Sequence, residues 1–284
     1  MNFFFTDILK ELKKNKLAFL GLIIIFTFII IALLAPIIAP HNPSSVFPNS
    51  LTIAPFIDGQ FLLGTDDLGR DILSRLIYGS RISLMVGTFC VLMSLSFGLL
   101  TGLTAGYFGG KVDSILMRFI DILMSLPSIL LAIFVVAILG PGLFNAIVAV
   151  GIVSIPSFAR IVRASTMIEK EKSYVKASMT FQSSSVRIMF NEILPNCLGP
   201  IIVQASFAFS EGILSTAALG FLGLGAQAPM PEWGIMLSDA RSYLLTAPWL
   251  LTLPGLCILT MVISFNILGD GLRDIFDPKT KRRK

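Results

Sequence analysis

The chain has 284 residues, 55% of them hydrophobic and 14% charged, with a formal net charge of +5. A soluble domain carries about 25% charged residues, so this apolar content exceeds what an aqueous core holds, and a bilayer must take it. The basic excess is clustered, and no stripe of Lys and Arg is interleaved with aromatics, which argues against a nucleic-acid partner.

The chain opens with Lys10, Lys13, Lys14 and Lys16. Residues 17–39 then carry no charge, enough for one span at about 20 residues per crossing. The run is longer than the roughly 7–15 residues of a signal-peptide core, so a retained anchor is expected. Residues 40–80 begin as a Pro-, Asn- and Ser-rich loop. His41 lies in this loop and is expected to be solvated, with no partner ligand near it in sequence for a metal. Residues 66–77 mix acids and bases with Ile72, Leu73, Leu76 and Ile77. That pattern predicts an amphipathic interfacial helix, as a docking surface for a partner or as a lid against the bilayer.

Residues 82–106 make the second span, where Gly98 and Gly102 form a GxxxG pair that predicts close helix packing. The stretch "AGYFGGKV" (105–112) is the nearest approach to a phosphate loop. That motif needs Gly at its first position and Ser or Thr at its last; Ala105 and Val112 stand there, so any ATP must bind another chain. The third span begins near Ser114, with Arg118 and Asp121 at i, i+3 predicting a helix-end pair beside Asp113. Residues 122–159 are uncharged and too long for one helix, and "GPG" at 140–142 divides them into spans three and four. Span five covers about 197–224 and span six about 244–268, giving an all-α protein with six transmembrane helices. Cys90, Cys197 and Cys257 lie far apart in or beside apolar runs and are expected to be packing residues.

Glu211 lies midway along span five, in "FAFSEGILS". A charge at that depth costs about 2.5–3.5 kcal/mol on insertion scales, so it must face protein or water. It is a pathway or gate residue, or a hydrogen bond between helices. Gly220, Gly223 and Gly225, with Phe221 and Leu222, mark where span five loosens, as a gate or as an ordinary helix end.

Lys and Arg set the orientation. With the N-terminus inside, eighteen of the 22 fall on the cytoplasmic side, and only Arg70, Arg75, Arg81 and Arg241 lie outside. An even number of spans also places both basic termini together. The loop at about 165–192 is then cytoplasmic, and the chain divides into residues 1–81 (basic segment, first span, periplasmic loop) and a five-helix core, 82–284.

That loop contains "KSYVKASMTFQSSSVRIMFNEILP" (172–195). It predicts a helix over 169–181, a turn over 182–185 and a second helix from Val186. Tyr174, Ala177, Ser178 and Phe181 recur at i, i+3, i+4, i+7 and share one face. By its pattern alone it is a docking helix or a helix lying on the lipid surface. The stretch resembles the "EAA" loop of binding-protein-dependent ABC importer permeases, with its downstream Leu-Pro. Lys176-Ala177-Ser178 stands where that family often has Glu-Ala-Ala, and Gln182 where it has a turn glycine. "LGTDDLGRDILSRLIYGSRISLMVG" (63–87), "GYFGGKVDSILMRFIDILMSLPSILLAI" (106–133) and "LGFLGLGAQAPMPEWGIMLSDAR" (219–241) resemble the C-type membrane subunit of the dipeptide, oligopeptide and nickel permeases.

The resemblance implies a type I ABC importer permease fold with a cytoplasmic coupling helix in a bacterial inner membrane. It implies that Tyr174, Val175, Lys176, Ala177, Ser178, Phe181, Leu194 and Pro195 belong to the ATPase-coupling element. The expected partners are a second permease subunit, two ATP-binding subunits and a periplasmic or lipoprotein substrate-binding protein. No cofactor is expected in this chain, ATP being held by the partner ATPases. Short peptides are the first substrate class, with nickel or a metal chelate the alternative. A proton-coupled secondary transporter using Glu211 is the rival of another class; it requires paired intramembrane charges and inverted repeats. An intramembrane enzyme requires a nucleophile and base within the spans, and none is apparent.

Overall fold

The computed structural model describes residues 11–276, all helical apart from connecting loops and one isolated bridge between Thr65 and Asp71. The first span, α1 (Lys16–Ile38), starts at Asn15, whose side chain accepts from the Ala18 N–H at 3.3 Å. The second, α2 (Ile72–Phe108), has 37 residues. At about 1.5 Å per residue it is about 55 Å long, well beyond a hydrocarbon core of about 30 Å.

The start of α2 corrects the expected interfacial helix. Residues 66–71 form a turn, with Gly69 at φ 78°. Asp71 then caps the new helix, its Oδ2 accepting from the Ser74 N–H at 3.1 Å. Ile72, Leu73, Leu76 and Ile77 therefore begin the span itself.

The third span consists of α3 (Gly110–Met124) and α4 (Ser128–Leu139), bent by 89° where Pro127 interrupts the amide ladder. The "GPG" break follows, with Gly140 and Gly142 at φ 89° and 153°. The fourth span is α5 (Leu143–Lys170). A short α6 (Ser173–Thr180) leads to α7, the span Ser185–Phe221. Within α7 the turn Ile188–Ile193 is a π-helix, and the Leu194 N–H reaches the Met189 carbonyl. Pro195 explains the wide turn, because its ring would crowd the carbonyl four residues back in a regular helix. Next come α8 (Trp233–Asp239), a 3₁₀ turn (Ala240–Tyr243) and the last span, α9 (Trp249–Phe276). Among the described residues five helices are long and apolar enough to cross a membrane, six with the bent pair.

Glycines set the main contact, between α2 and α5. A Cβ at Gly98 would lie 2.4 Å from Phe158 Cβ, and one at Gly102 would lie 2.6 Å from the Ala159 carbonyl oxygen. The GxxxG pair lets the two backbones meet. Trp233 is fully buried and donates its indole N–H to the Leu76 carbonyl at 3.2 Å, in space that a Cβ on Gly79 would fill.

Two local expectations are corrected. Asp121 pairs with Arg160 of α5 at 2.7 Å instead of with Arg118. Asp113 pairs with Arg163, so α3 is tied to α5 at two points. His41 is packed between the Phe47 and Phe61 rings, its Nδ1 3.4 Å from Asp71 Oδ2. The three cysteines are free; Cys90 and Cys197 are buried and Cys257 is half-buried.

Candidate functional site

One end of the bundle, the basic end, carries Arg160, Arg163, Lys170, Lys172, Lys176 and Arg187. There α6 is clamped to three spans. Val175 is fully buried, in a cluster with Leu103 of α2, Val162 of α5 and Ile193 of α7. The Tyr174 hydroxyl donates to Glu169 at the end of α5 and accepts from the Asn196 amide of α7 at 3.0 Å. Burial, and then the Glu169 carboxylate, push the Tyr174 phenol above its ordinary range, so it stays a donor. Glu169 is itself buried and pairs with Lys172 at 2.7 Å. Lys170 donates to the Tyr107 carbonyl and lies 5.5 Å from that ring's centroid, which ties the same corner to α2. Lys176 pairs with Glu171 at 2.8 Å and holds that carboxyl below its usual range.

The opposite side of α6 is open. Phe181 is 84% exposed and Ala177 is exposed, while Ser178 is half-buried. Tyr174 is partly exposed, though its hydroxyl is engaged. The four residues of the predicted face thus divide into a projecting tip and a tethered base. Val175 points inward and holds the helix. Leu194 and Pro195 lie at the π/α junction that returns the chain to its span. Gln182 takes φ 55°, a conformation that glycine adopts without cost and that costs other residues about 1–2 kcal/mol. The turn therefore keeps a glycine's geometry with a glutamine in place. Sequence reasoning gave Glu169, Lys170 and Asn196 no part in the clamp; the one available signal was the pair of acids, Glu169 and Glu171, at the start of a basic loop.

The other end is capped by residues 39–71 and 222–248. α7 finishes in a Schellman motif: the Leu224 N–H reaches the Leu219 carbonyl at 2.8 Å, and the Gly223 N–H reaches Gly220 at 2.9 Å, with Gly223 at φ 78°. Phe221, at that terminus, carries the Arg241 guanidinium 4.0 Å from its ring centroid, and Leu222 is exposed. Buried Glu232 accepts from the Gly234 and Ile235 N–H groups at 2.8 and 2.9 Å, starting α8. Arg70 bridges Asp66 at 2.5 Å and Asp239 at 3.6 Å, joining the two loops of the cap.

Between the ends, Glu211 faces a cavity of about 240 Å³. Its walls are the α3–α4 bend (Leu123, Met124, Ser128) and α5 around Pro156 and Ser157. The first turn of α4 has no side-chain cap there. The "AGYFGGKV" stretch runs from the end of α2 into α3, with Ala105 and Tyr107 buried against neighbouring helices. Among the described residues no group of three or more His, Cys, Asp or Glu could hold a metal.

A bundle of long apolar helices, with a short helix clamped across several spans at one end, has the type I importer fold. Comparison with known proteins gives the family: the chain belongs to the binding-protein-dependent transport system inner membrane components, whose model matches residues 98–282. A second model, the N-terminal TM domain of oligopeptide transport permease C, matches residues 4–56. The chain is 51% identical to a dipeptide transport system permease protein of Alkalihalophilus pseudofirmus, over 96% of this chain and 89% of that one. It is likewise 51% identical to the dipeptide transport system permease protein of Escherichia coli K12, over 95% and 91%. A glutathione transport system permease protein of Pectobacterium atrosepticum is 44% identical, over 95% and 89%. In fold, a chain of the MetNI methionine ABC transporter superposes with a TM-score of 0.57 at 20% identity, covering 71% of this chain and 96% of that one. The chain is therefore a transport subunit and not itself an enzyme, with ATP hydrolysis on a separate subunit.

Proposed function

We propose that this chain is one half of the translocation pathway of an importer that carries short peptides across the bacterial inner membrane. The observation that carries this reading is 51% identity, over almost its full length, to permeases named for dipeptide transport. A second permease subunit completes the pathway, two ATP-binding subunits drive it, and a substrate-binding protein delivers cargo to the capped end. Both termini and the 165–192 loop face the cytoplasm, a reading supported by the asymmetry of Lys and Arg.

In this reading α6 is the coupling helix, with Phe181 and Ala177 at the docking tip. Val175, Tyr174 and Lys170 make the tip rigid with α2, α5 and α7. A displacement imposed on the tip by closing ATPases therefore moves three spans together. Glu211 lines the pathway, and Phe221 and Leu222 form its gate beneath the cap. Deleting the gene should abolish uptake of a labelled dipeptide, and a plasmid copy should restore it. Dipeptide uptake that survives deletion, with nickel uptake lost, would transfer the assignment to a metal-chelate permease.

A further inference from the structure

Glu211 lies ten residues before Phe221, the end of α7. That is about 15 Å along the helix axis, near the middle of a bilayer. Its side chain is exposed to the cavity at the α3–α4 bend and makes no hydrogen bond or ion pair among the described residues. A carboxylate at this depth without a cation is expensive to maintain. Nothing else lining the cavity is charged: the other polar side chains are the hydroxyls of Ser128, Ser154 and Ser157, and the remainder is aliphatic, Met or Pro. The cavity thus presents one carboxyl group in otherwise uncharged walls that discriminate little among side chains.

Free peptides differ in their side chains but share an α-amino group, protonated at neutral pH because its pKa is about 7.7–8.0. A pathway that passes many peptides must recognise what they have in common. We propose that the cavity at the bend of the third span is a transit site for the substrate's α-ammonium group, with the Glu211 carboxylate as its counter-charge. The proposal rests on the peptide-importer reading above and adds the group recognised and the residue that recognises it.

The test uses the full transporter in nanodiscs and proteoliposomes, in a background with Cys90, Cys197 and Cys257 replaced by Ala. Ser157→Cys places a thiol in the cavity wall. A cationic methanethiosulfonate should label it about tenfold faster than an anionic one, relative to the same ratio with Glu211→Gln, equivalent to about 1.4 kcal/mol. At saturating loaded binding protein, Glu211→Gln should lower maximal uptake of a free-amine dipeptide about tenfold, and Glu211→Asp should restore most of it. ATPase stimulation by loaded binding protein should be retained in both variants. A thiol that reacts with neither reagent would overturn the pathway reading itself. A reactive thiol without charge preference, or parental uptake with Glu211→Gln, would overturn only the ammonium site. Loss of the second permease from purified Glu211→Gln complexes would also overturn it, by showing that the carboxylate meets a partner's cation.

Discussion

Asp113 of α3 and Arg163 of α5 form a two-point ion pair, with Nε to Oδ1 at 2.5 Å and Nη2 to Oδ2 at 2.6 Å. The two residues stand 50 apart in sequence and are both half-buried. With Asp121–Arg160, this pair fixes the amphipathic first half of the bent span onto the helix that leads into α6.

Two-point Arg–carboxylate pairs are stronger than single surface pairs. A double-mutant cycle of Asp113→Asn and Arg163→Gln, read by thermal unfolding in detergent, should give a coupling of about 1–2 kcal/mol. The same cycle on the more exposed Asp121 and Arg160 should give about 0.5 kcal/mol or less.

These pairs also show what the sequence could convey. Six spans, the break at 140–142, the close approach at Gly98 and Gly102 and the basic-end loop all follow from hydropathy, Gly and Pro, which act locally. Asp121 had an equally good local partner in Arg118, and only the fold brings Arg160 to it, 39 residues away. His41 was read as solvated because nothing in its neighbourhood announces Phe61 or Asp71. Spacing placed Tyr174, Ala177, Ser178 and Phe181 on one face, and an eight-residue helix has too few turns for periodicity to say which of them project and which are tethered; Val175, implied by the resemblance alone, packs inward. The extension of α2 through Arg75 and Arg81 was hidden because charges argue against a span. The buried Arg75 is satisfied by the Pro43 and Pro229 carbonyls and by Asp66, which belong to the cap.

Gly102→Ala should destabilise the subunit by about 1–3 kcal/mol, because the added methyl meets the α5 backbone and not a movable side chain. Gly59→Ala, with nothing within 4 Å of the added methyl, should be close to neutral. Thermal unfolding of the two variants checks the contrast.

Burial pushes the Glu232 carboxyl above its ordinary value of 4.5, against the two N–H groups that lower it. An acid whose folded pKa is raised contributes stability that is present below the unfolded pKa and is lost as pH rises through the folded one. Stability of the purified subunit should therefore decline as pH rises from about 4.5. Glu232→Gln, which cannot ionise, should flatten that slope. An unchanged slope in the variant would show that another group controls it.

Reporter fusions after Lys284 and at Pro55 should report opposite sides of the membrane, with the Lys284 fusion cytoplasmic. Signals from the same side would overturn the six-span topology.

The central claim is that the open tip of α6 receives force from an ATP-binding subunit. Aromatic anchors at interface centres typically cost about 2 kcal/mol or more when truncated, a loss of about thirtyfold in affinity. The direct measurement is the dissociation constant of the ATP-binding subunit for the permease pair in nanodiscs, with Phe181 intact and with Phe181→Ala. The account predicts about thirtyfold weaker binding, with uptake falling in parallel and the spans still inserted. Equal affinity and equal uptake for the two proteins would contradict it.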